Sequence, residues 1–208
     1  MIGDNDTPFR LIAAAELVAM VAVRDYYSFS RSRESIRERI RRSAEAAWLT
    51  AAMGAFAILH FGGVIVYIAM PAVLGWCTFH VAGPIRWAGI AISVAGAAGE
   101  VWAAISLGTN YSPLLRVGKS QVLVTTGPYR WIRHPLYSFG LPLMLGWGIA
   151  ARNWLIIASG TVVVAVVMTI RAPREEAMMR EAFGQSYSDY MSRTGRFIPR
   201  VRAGMGIY

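Results

Sequence analysis

Long apolar runs are the feature that most constrains this chain, because a bilayer admits only segments whose backbone hydrogen bonds close internally. Such runs occupy residues 9–23, 46–75, 86–107, 136–151 and 154–170. With 55% apolar and 16% charged side chains in 208 residues, the chain is too hydrophobic for an ordinary soluble domain. We therefore predict one membrane domain over residues 1–208, an all-α integral membrane protein with about five transmembrane helices.

Arginine-rich segments separate these runs and predict their orientation. The basic segments are 24–45, 116–133 and 171–202. Because positive loops stay in the cytoplasm, all three are expected there, with the N-terminus outside. The net charge of +9 then fits contact with anionic lipid headgroups, so a lipid bilayer and no nucleic acid is the expected partner. Lys119 is the only lysine, and this alanine- and arginine-rich composition is typical of bacteria, which indicates a bacterial inner membrane.

Isolated polar residues within the apolar runs do not predict a metal site. His60 and His80 have no neighbour at ligand spacing, and Cys77 is the only cysteine, so no metal is expected. We interpret His60 as a hydrogen-bonded core residue and Cys77 as a packing residue. Glu100 lies in the third run, and an acidic residue at membrane depth indicates either an interhelical hydrogen bond or a functional role.

Segment 127–137, which reads GPYRWIRHPLY, joins a cytoplasmic segment to the fourth apolar run. Pro135 suits the first turn of a helix, with His134 as the residue just outside it. The free N–H groups of that helix would form a site for an anionic group at the membrane surface. The surrounding side chains are Tyr129, Arg130, Arg133 and Tyr137. The alternative interpretation is an ordinary aromatic and basic belt at the membrane interface.

The segment after the fifth run predicts an amphipathic hairpin. Residues 171–176 read RAPREE and open a helix that Gly184 would terminate, followed by a second helix with Tyr187 and Tyr190. This hairpin would form a cytoplasmic C-terminal helical lid over segment 127–137. Adjacent helical positions diverge by about 100°, so only one of the two glutamates in 175–176 can face a ligand squarely. The charges fit a zwitterionic ligand that carries a further cationic centre.

At these residues the sequence resembles the isoprenylcysteine carboxyl methyltransferase and phospholipid methyltransferase superfamily of integral membrane proteins. The resemblance rests on segments 127–137 and 171–176, then FGQSYSDY at 183–190 and RFIP at 196–199, in order and at the expected spacings. It implies S-adenosyl-L-methionine as cofactor and a methyl transfer to a small or lipophilic acceptor, of the isoprenylcysteine carboxyl or phospholipid amine type, that enters from the membrane.

The same resemblance implies roles for individual residues. It implies a cofactor-binding catalytic core at 111–208. Residues 1–110, with spans one to three, carry no such resemblance, and acceptor specificity is expected there. The resemblance assigns cofactor binding to Gln121, Val122, Leu123, Val124, Tyr129, His134, Pro135, Leu136, Tyr137 and Glu176. It makes Arg171 and Glu176 catalytic, with Arg171 facing the acceptor.

Two other functions stay open on the sequence. One is a membrane reductase of the steroid-reductase type, which would bind a nicotinamide cofactor. The other is a non-catalytic membrane scaffold or transport subunit, in which the charged segments would only set the topology.

Overall fold

The structure, a computed structural model, describes residues 6–29, 47–110 and 122–200. These residues form α-helices and no β-strand, which confirms the all-α prediction for this part of the chain. The α-helices are α1 (Thr7–Phe29), α2 (Ala47–Ala69), α3 (Gly83–Leu107), α4 (Pro135–Ala150), α5 (Trp154–Val166), α6 (Ala172–Phe183) and α7 (Gln185–Arg193). Gln121 and the predicted basic loop from residue 30 onward lie outside the described residues.

Three stretches of helix are long and apolar enough to cross a bilayer: Ala51–Ala69, Gly83–Asn110 and Trp154–Phe183. Helix α4 has 16 residues, fewer than the roughly 20 that a straight span needs. Helix α1 carries charged residues and continues six residues beyond the first apolar run, to Phe29. The total of five spans stays a prediction.

Helices α3 and α4 pack closely along a seam of glycines. A Cβ atom added at Gly96 would lie 2.5 Å from the backbone nitrogen of Leu143, and one at Gly146 would lie 2.5 Å from that of Ser93. A Cβ atom at Gly89 would lie 2.9 Å from the nitrogen of Ala150. Because helices in lipid associate through close backbone contact, these glycines set the distance between the two helices.

Helix α1 is attached to this pair by buried polar groups. Glu16 is 8% exposed, and its carboxylate accepts hydrogen bonds from Ser93 on α3 and from the indole of Trp147 on α4. Arg86 is 1% exposed, donates to the carbonyl of Ala150 at 2.9 Å and forms an ion pair with Asp6. Charges buried in a membrane protein require such partners, and here the partners join three helices.

The isolated histidine and cysteine of the apolar runs are packing residues. His60 is fully buried, and its Nδ1 lies 3.2 Å from the carbonyl oxygen of Ile156. Cys77 is also fully buried and accepts a hydrogen bond from the side-chain amide of Asn153 at 3.1 Å. Both interpretations from the sequence are confirmed. Asn153 also caps α5, because its side chain accepts a hydrogen bond from the N–H of Ile156.

Helices α5 and α6 are continuous through one turn of π-helix at Val167–Arg171. The N–H of Ala172 bonds to the carbonyl of Val167, which gives this turn an extra residue. The wide turn precedes Pro173, whose ring and missing N–H disfavour a regular α-helix at this point. The segment predicted to open a new helix after residue 170 therefore extends the preceding helix without a break.

We expect Gly96→Ala to lower the midpoint of thermal unfolding, because the added methyl group would meet the backbone of α4 rather than a movable side chain. Overpacking of this kind costs about 1–3 kcal/mol. Gly54→Ala in α2 is the matched control, since a Cβ atom at Gly54 meets nothing within 4 Å. Unfolding of the detergent-purified variants measures both. Equal midpoints for the two variants would show that α3 and α4 can move apart at the glycine seam without loss of stability.

Candidate active site

A cavity of about 300 Å³ lies among α2 to α7 and the segment before α4. Part of its lining is apolar and comes from helices that suit a bilayer, among them Phe61 on α2, Met144 on α4 and Val164 on α5. The other part is polar, with Arg171 and Glu175 at the end of the π-turn and the start of α6. One cavity therefore joins an apolar wall to a charged wall.

Many of the side chains that the sequence pattern singled out lie together in this lining. The predicted residues found there are Val122, Leu123, Val124, Tyr129, His134, Leu136, Tyr137 and Arg171. Residues 122–125 have no regular secondary structure, and the N–H of Val122 bonds to the side chain of Asn110. Helix α4 begins at Pro135 with His134 as its N-cap residue, which confirms the predicted helix start. Pro135 itself is buried in the first turn and lies outside the lining.

Glu176 lies beside the cavity at the centre of a buried ion cluster, and it too lies outside the lining. Its side chain is 1% exposed. One carboxylate oxygen accepts hydrogen bonds from Arg133 at 2.9 Å, Arg196 at 3.0 Å and a ring nitrogen of His134 at 3.2 Å. The second oxygen is bonded to Arg196. This geometry makes Glu176 the residue that positions its three partners.

Glu175 is the carboxylate that lines the cavity, and the resemblance had not assigned it a role. Tyr137 donates a hydrogen bond to it at 2.9 Å, and Nδ1 of His134 lies 3.5 Å from the same oxygen. The rings of His134 and Tyr137 are stacked, with centroids 5.4 Å apart. Arg171 is close enough to interact electrostatically with Glu175. The charged wall thus presents both signs of charge within a few residues.

His134 connects the two carboxylates. Burial lowers the pKa of this imidazole, but hydrogen bonds to Glu175 and Glu176 raise it, and the net pKa is higher than the ordinary value of 6.5. The protonated ring can then donate from one nitrogen to each carboxylate. A protonated His134 also adds a positive charge to the polar wall of the cavity.

The C-terminal segment holds the residues before α4 in place. The N–H of Arg133 donates to the carbonyl of Gly195 at 2.8 Å, and the N–H of His134 donates to that of Arg196 at 3.1 Å. Ser138 bonds to the carbonyl of Phe197 at 2.6 Å. A Cβ atom at Gly195 would overlap the carbonyl oxygen of Ile198, so only glycine fits there. Sequence reasoning had noted the motif at 196–199 without predicting that its arginine reaches Glu176.

Helix α7 closes another side of the cavity with Tyr187 and Tyr190. Gly184, at φ +55°, separates α6 from α7 and confirms the predicted end of the first helix. The hydroxyl of Tyr190 donates to the carbonyl of Tyr129 at 2.8 Å. Burial raises the pKa of Tyr190 far above its ordinary value, so the phenol stays neutral and available as a donor.

Glu100 of α3 also lines the cavity, at the depth of the apolar wall. It is 4% exposed, and one of its carboxylate oxygens would lie 2.9 Å from a Cβ atom at Gly140. The glycine therefore makes room for the carboxylate against α4. Within residues 6–29, 47–110 and 122–200, no group of three or more histidine, cysteine or acidic side chains could hold a metal ion.

A model of the phospholipid methyltransferase family matches residues 84–186, which include almost all of α3 to α6. A protein-S-isoprenylcysteine O-methyltransferase of Tribolium castaneum is 33% identical over 115 residues, which cover 54% of this chain and 41% of that protein. The nickel-cobalt-cadmium resistance protein NccN of Alcaligenes xylosoxydans xylosoxydans is 27% identical over 150 residues, which cover 72% of this chain and 69% of that protein. The chain spans 41% to 62% of the length of the first isoprenylcysteine methyltransferase relatives.

A solved structure of the eukaryotic intramembrane Ras methyltransferase ICMT superposes with a TM-score of 0.54 at 23% sequence identity. The superposition covers 91% of this chain and 62% of that one, and it shows a shared fold. The long apolar helices agree with this likeness. The chain is therefore a multi-pass integral membrane protein.

We expect the pH dependence of stability to report the charge on His134. Because its folded pKa is raised, the protonated ring stabilises the fold in full below pH 6.5, and this stabilisation is lost as the pH rises through the folded pKa. The unfolding midpoint of the wild type should fall over that range, whereas that of His134→Gln should change less. His80→Gln removes an exposed histidine and should follow the wild type. If the unfolding midpoints of all three proteins changed with pH in parallel, the ion cluster around Glu176 would not depend on a protonated His134.

Proposed function

Because this chain belongs to the superfamily of isoprenylcysteine carboxyl and phospholipid methyltransferases, we propose that it transfers the methyl group of S-adenosylmethionine to an acceptor that enters from the bilayer. The observation that carries the proposal is the cavity in which Arg171, Glu175 and His134 face the apolar side chains of α2 and α5. A charged methyl donor and a lipophilic acceptor require these two kinds of surface in one enclosure.

The charges of the polar wall fit the cofactor. S-adenosylmethionine carries a carboxylate, an ammonium group and a sulfonium, so its site needs both positive and negative partners. Protonated His134 matches the carboxylate, while Glu175 and the face of Tyr137 match the cationic groups. The segment 122–124 and Tyr129 contribute backbone and ring surface to the same wall. We assign cofactor binding to these residues together with Leu136.

The cofactor supplies an activated methyl group, so the protein's task is to align donor and acceptor and to exclude water. In this proposal Arg171 contacts the acceptor at the boundary between the two walls, and Glu175 holds the donor. Glu176 acts as a positioning residue through Arg133, His134 and Arg196 rather than as the cofactor ligand that the resemblance implied. Helices α6 and α7 form the lid over the site.

The acceptor is proposed as a lipophilic or small molecule of the bilayer. Apolar side chains of α2, including Met53, Ala57 and Phe61, would contact its apolar part, so residues 1–110 would contribute specificity to the core at 111–208. The relatives do not share one acceptor in their names, since some are isoprenylcysteine methyltransferases and others are metal resistance proteins. The proposed topology has five spans in a bacterial inner membrane, with the N-terminus outside and the site facing the cytoplasm.

Calorimetric titration of the purified protein with S-adenosylmethionine and with its demethylated product should show saturable binding of both. The polar wall can hold the charged groups that the two molecules share, so their affinities should be similar. Reduced nicotinamide dinucleotide serves as the competing cofactor in the same detergent. Saturable binding of the dinucleotide alone would place the protein among the membrane reductases, and binding of neither would favour a scaffold.

Single substitutions should separate the proposed roles. Glu175→Gln should weaken donor binding about 10- to 100-fold, because it removes a charge-assisted contact and keeps the shape. Arg171→Ala should lower turnover while donor affinity stays within about threefold, as expected for a lost acceptor or transition-state contact. Glu181→Gln, on an exposed face of α6, is the matched control and should change neither.

Glu176→Gln tests the alternative assignment. It should lower the unfolding midpoint, since it leaves buried positive groups without their anion. Donor binding should weaken only to the extent that the fold is destabilised. A folded Glu176→Gln protein that loses donor binding, beside a Glu175→Gln protein that keeps it, would restore the role that the resemblance gave to Glu176.

A further inference from the structure

A second cavity shares Tyr190 of α7 with the candidate active site, and its lining is strongly basic. Arg130, Arg193 and Arg200 all line it, and no acidic side chain belongs to the described lining. The three arginines come from the segment before α4, the end of α7 and the chain after it, and each is exposed. Arg200 is held there by a hydrogen bond to the carbonyl of Ser192. Three guanidinium groups around one cavity supply the positive charge and the hydrogen-bond donors that a phosphate requires.

Two tryptophans fix the level of this basic cavity relative to the bilayer. Trp131 lines the cavity and packs against Trp102 of α3, with ring centroids 6.2 Å apart. Both are about half exposed, at 46% and 45%. Trp102 lies five residues before the end of α3 at Leu107, which is about 7.5 Å along a helix that suits a bilayer span. Exposed tryptophans at that depth are typical of the headgroup level of a membrane.

One of the arginines also lies beside the tryptophan pair. The guanidinium of Arg130 lies 5.8 Å from the ring centroid of Trp131. Ile198, two residues before Arg200, is 76% exposed, so an apolar side chain stands beside the basic group in the chain. Positive groups beside exposed apolar side chains are suited to a surface that offers both phosphate and acyl chain.

We propose that the cavity of Arg130, Arg193 and Arg200 binds the phosphate of an anionic membrane phospholipid, at a site distinct from the candidate active site. The lipid phosphate sits among the three guanidinium groups, and its acyl chains run along the tryptophan pair. Tyr190 lines both cavities, so the bound lipid contacts the same helix α7 that encloses the active-site cavity. The lipid thereby stabilises that helix in its closed position.

Native mass spectrometry of the detergent-purified protein, titrated with phosphatidylglycerol, tests this site. The wild type should bind one lipid saturably, and each of Arg130→Gln, Arg193→Gln and Arg200→Gln should weaken that binding about fivefold, with a loss on the order of a hundredfold for the triple variant. Arg180→Gln removes one charge from an exposed position of α6 and should stay within about twofold of the wild type. Thermal unfolding checks that each variant is folded.

Two further ligands distinguish the source of the phosphate. Phosphatidylcholine should not saturate the site, because its headgroup has no net charge, and inorganic phosphate should compete only at far higher concentration, because it lacks acyl chains. Trp131→Ala should weaken phosphatidylglycerol binding and leave the affinity for inorganic phosphate unchanged. The proposal is overturned if the arginine variants and Arg180→Gln bind phosphatidylglycerol alike, if the wild type does not saturate, or if inorganic phosphate binds as tightly as the lipid.

Discussion

The buried carboxylate of Glu176 is the interaction on which the end of the molecule that holds the cavity depends. Its oxygens bind Arg133 from the segment before α4, Arg196 from the chain after α7 and His134 at the start of α4. Three separate parts of the chain therefore converge on one anion. Loss of one partner of a buried ion pair costs about 3–5 kcal/mol, since the other charges remain buried. The cavity beside Glu176 owes its polar wall to that convergence.

A second group of buried charges performs the same task at the opposite end of the helices. Glu16 joins α1 to Ser93 and Trp147, and Arg86 joins α3 to the end of α4 and to Asp6. Along the glycine seam, the backbones of α3 and α4 lie in close contact. Charged groups thus set the relative positions of the helix ends, and close packing sets the distance between their middles.

Local signals predicted the helix start at Pro135 and the helix end at Gly184, because each depends on a few adjacent residues. The choice between Glu175 and Glu176 could not be made in this way. The π-turn at Val167–Arg171 adds one residue, which rotates the following helix by about 100°, the angle between two adjacent positions. In a regular helix continued from α5, Glu175 would therefore take the direction of Glu176, and Arg174 would take that of Glu175. The bond from Arg196 to Glu176 joins distant parts of the sequence and has no local signal.

The same continuous helix explains why the cavity has both an apolar wall and a charged wall. Val163 and Val167 on its apolar part line the cavity together with Arg171 and Glu175 on its charged part. Burial of an unpaired charge in hydrocarbon is costly, and exposure of an apolar acceptor to water is costly too, so the proposed donor and acceptor would meet at the lowest free-energy cost where the two kinds of lining adjoin. Because one helix carries both kinds of lining across the boundary, their separation is fixed by the helix backbone and does not depend on a flexible loop.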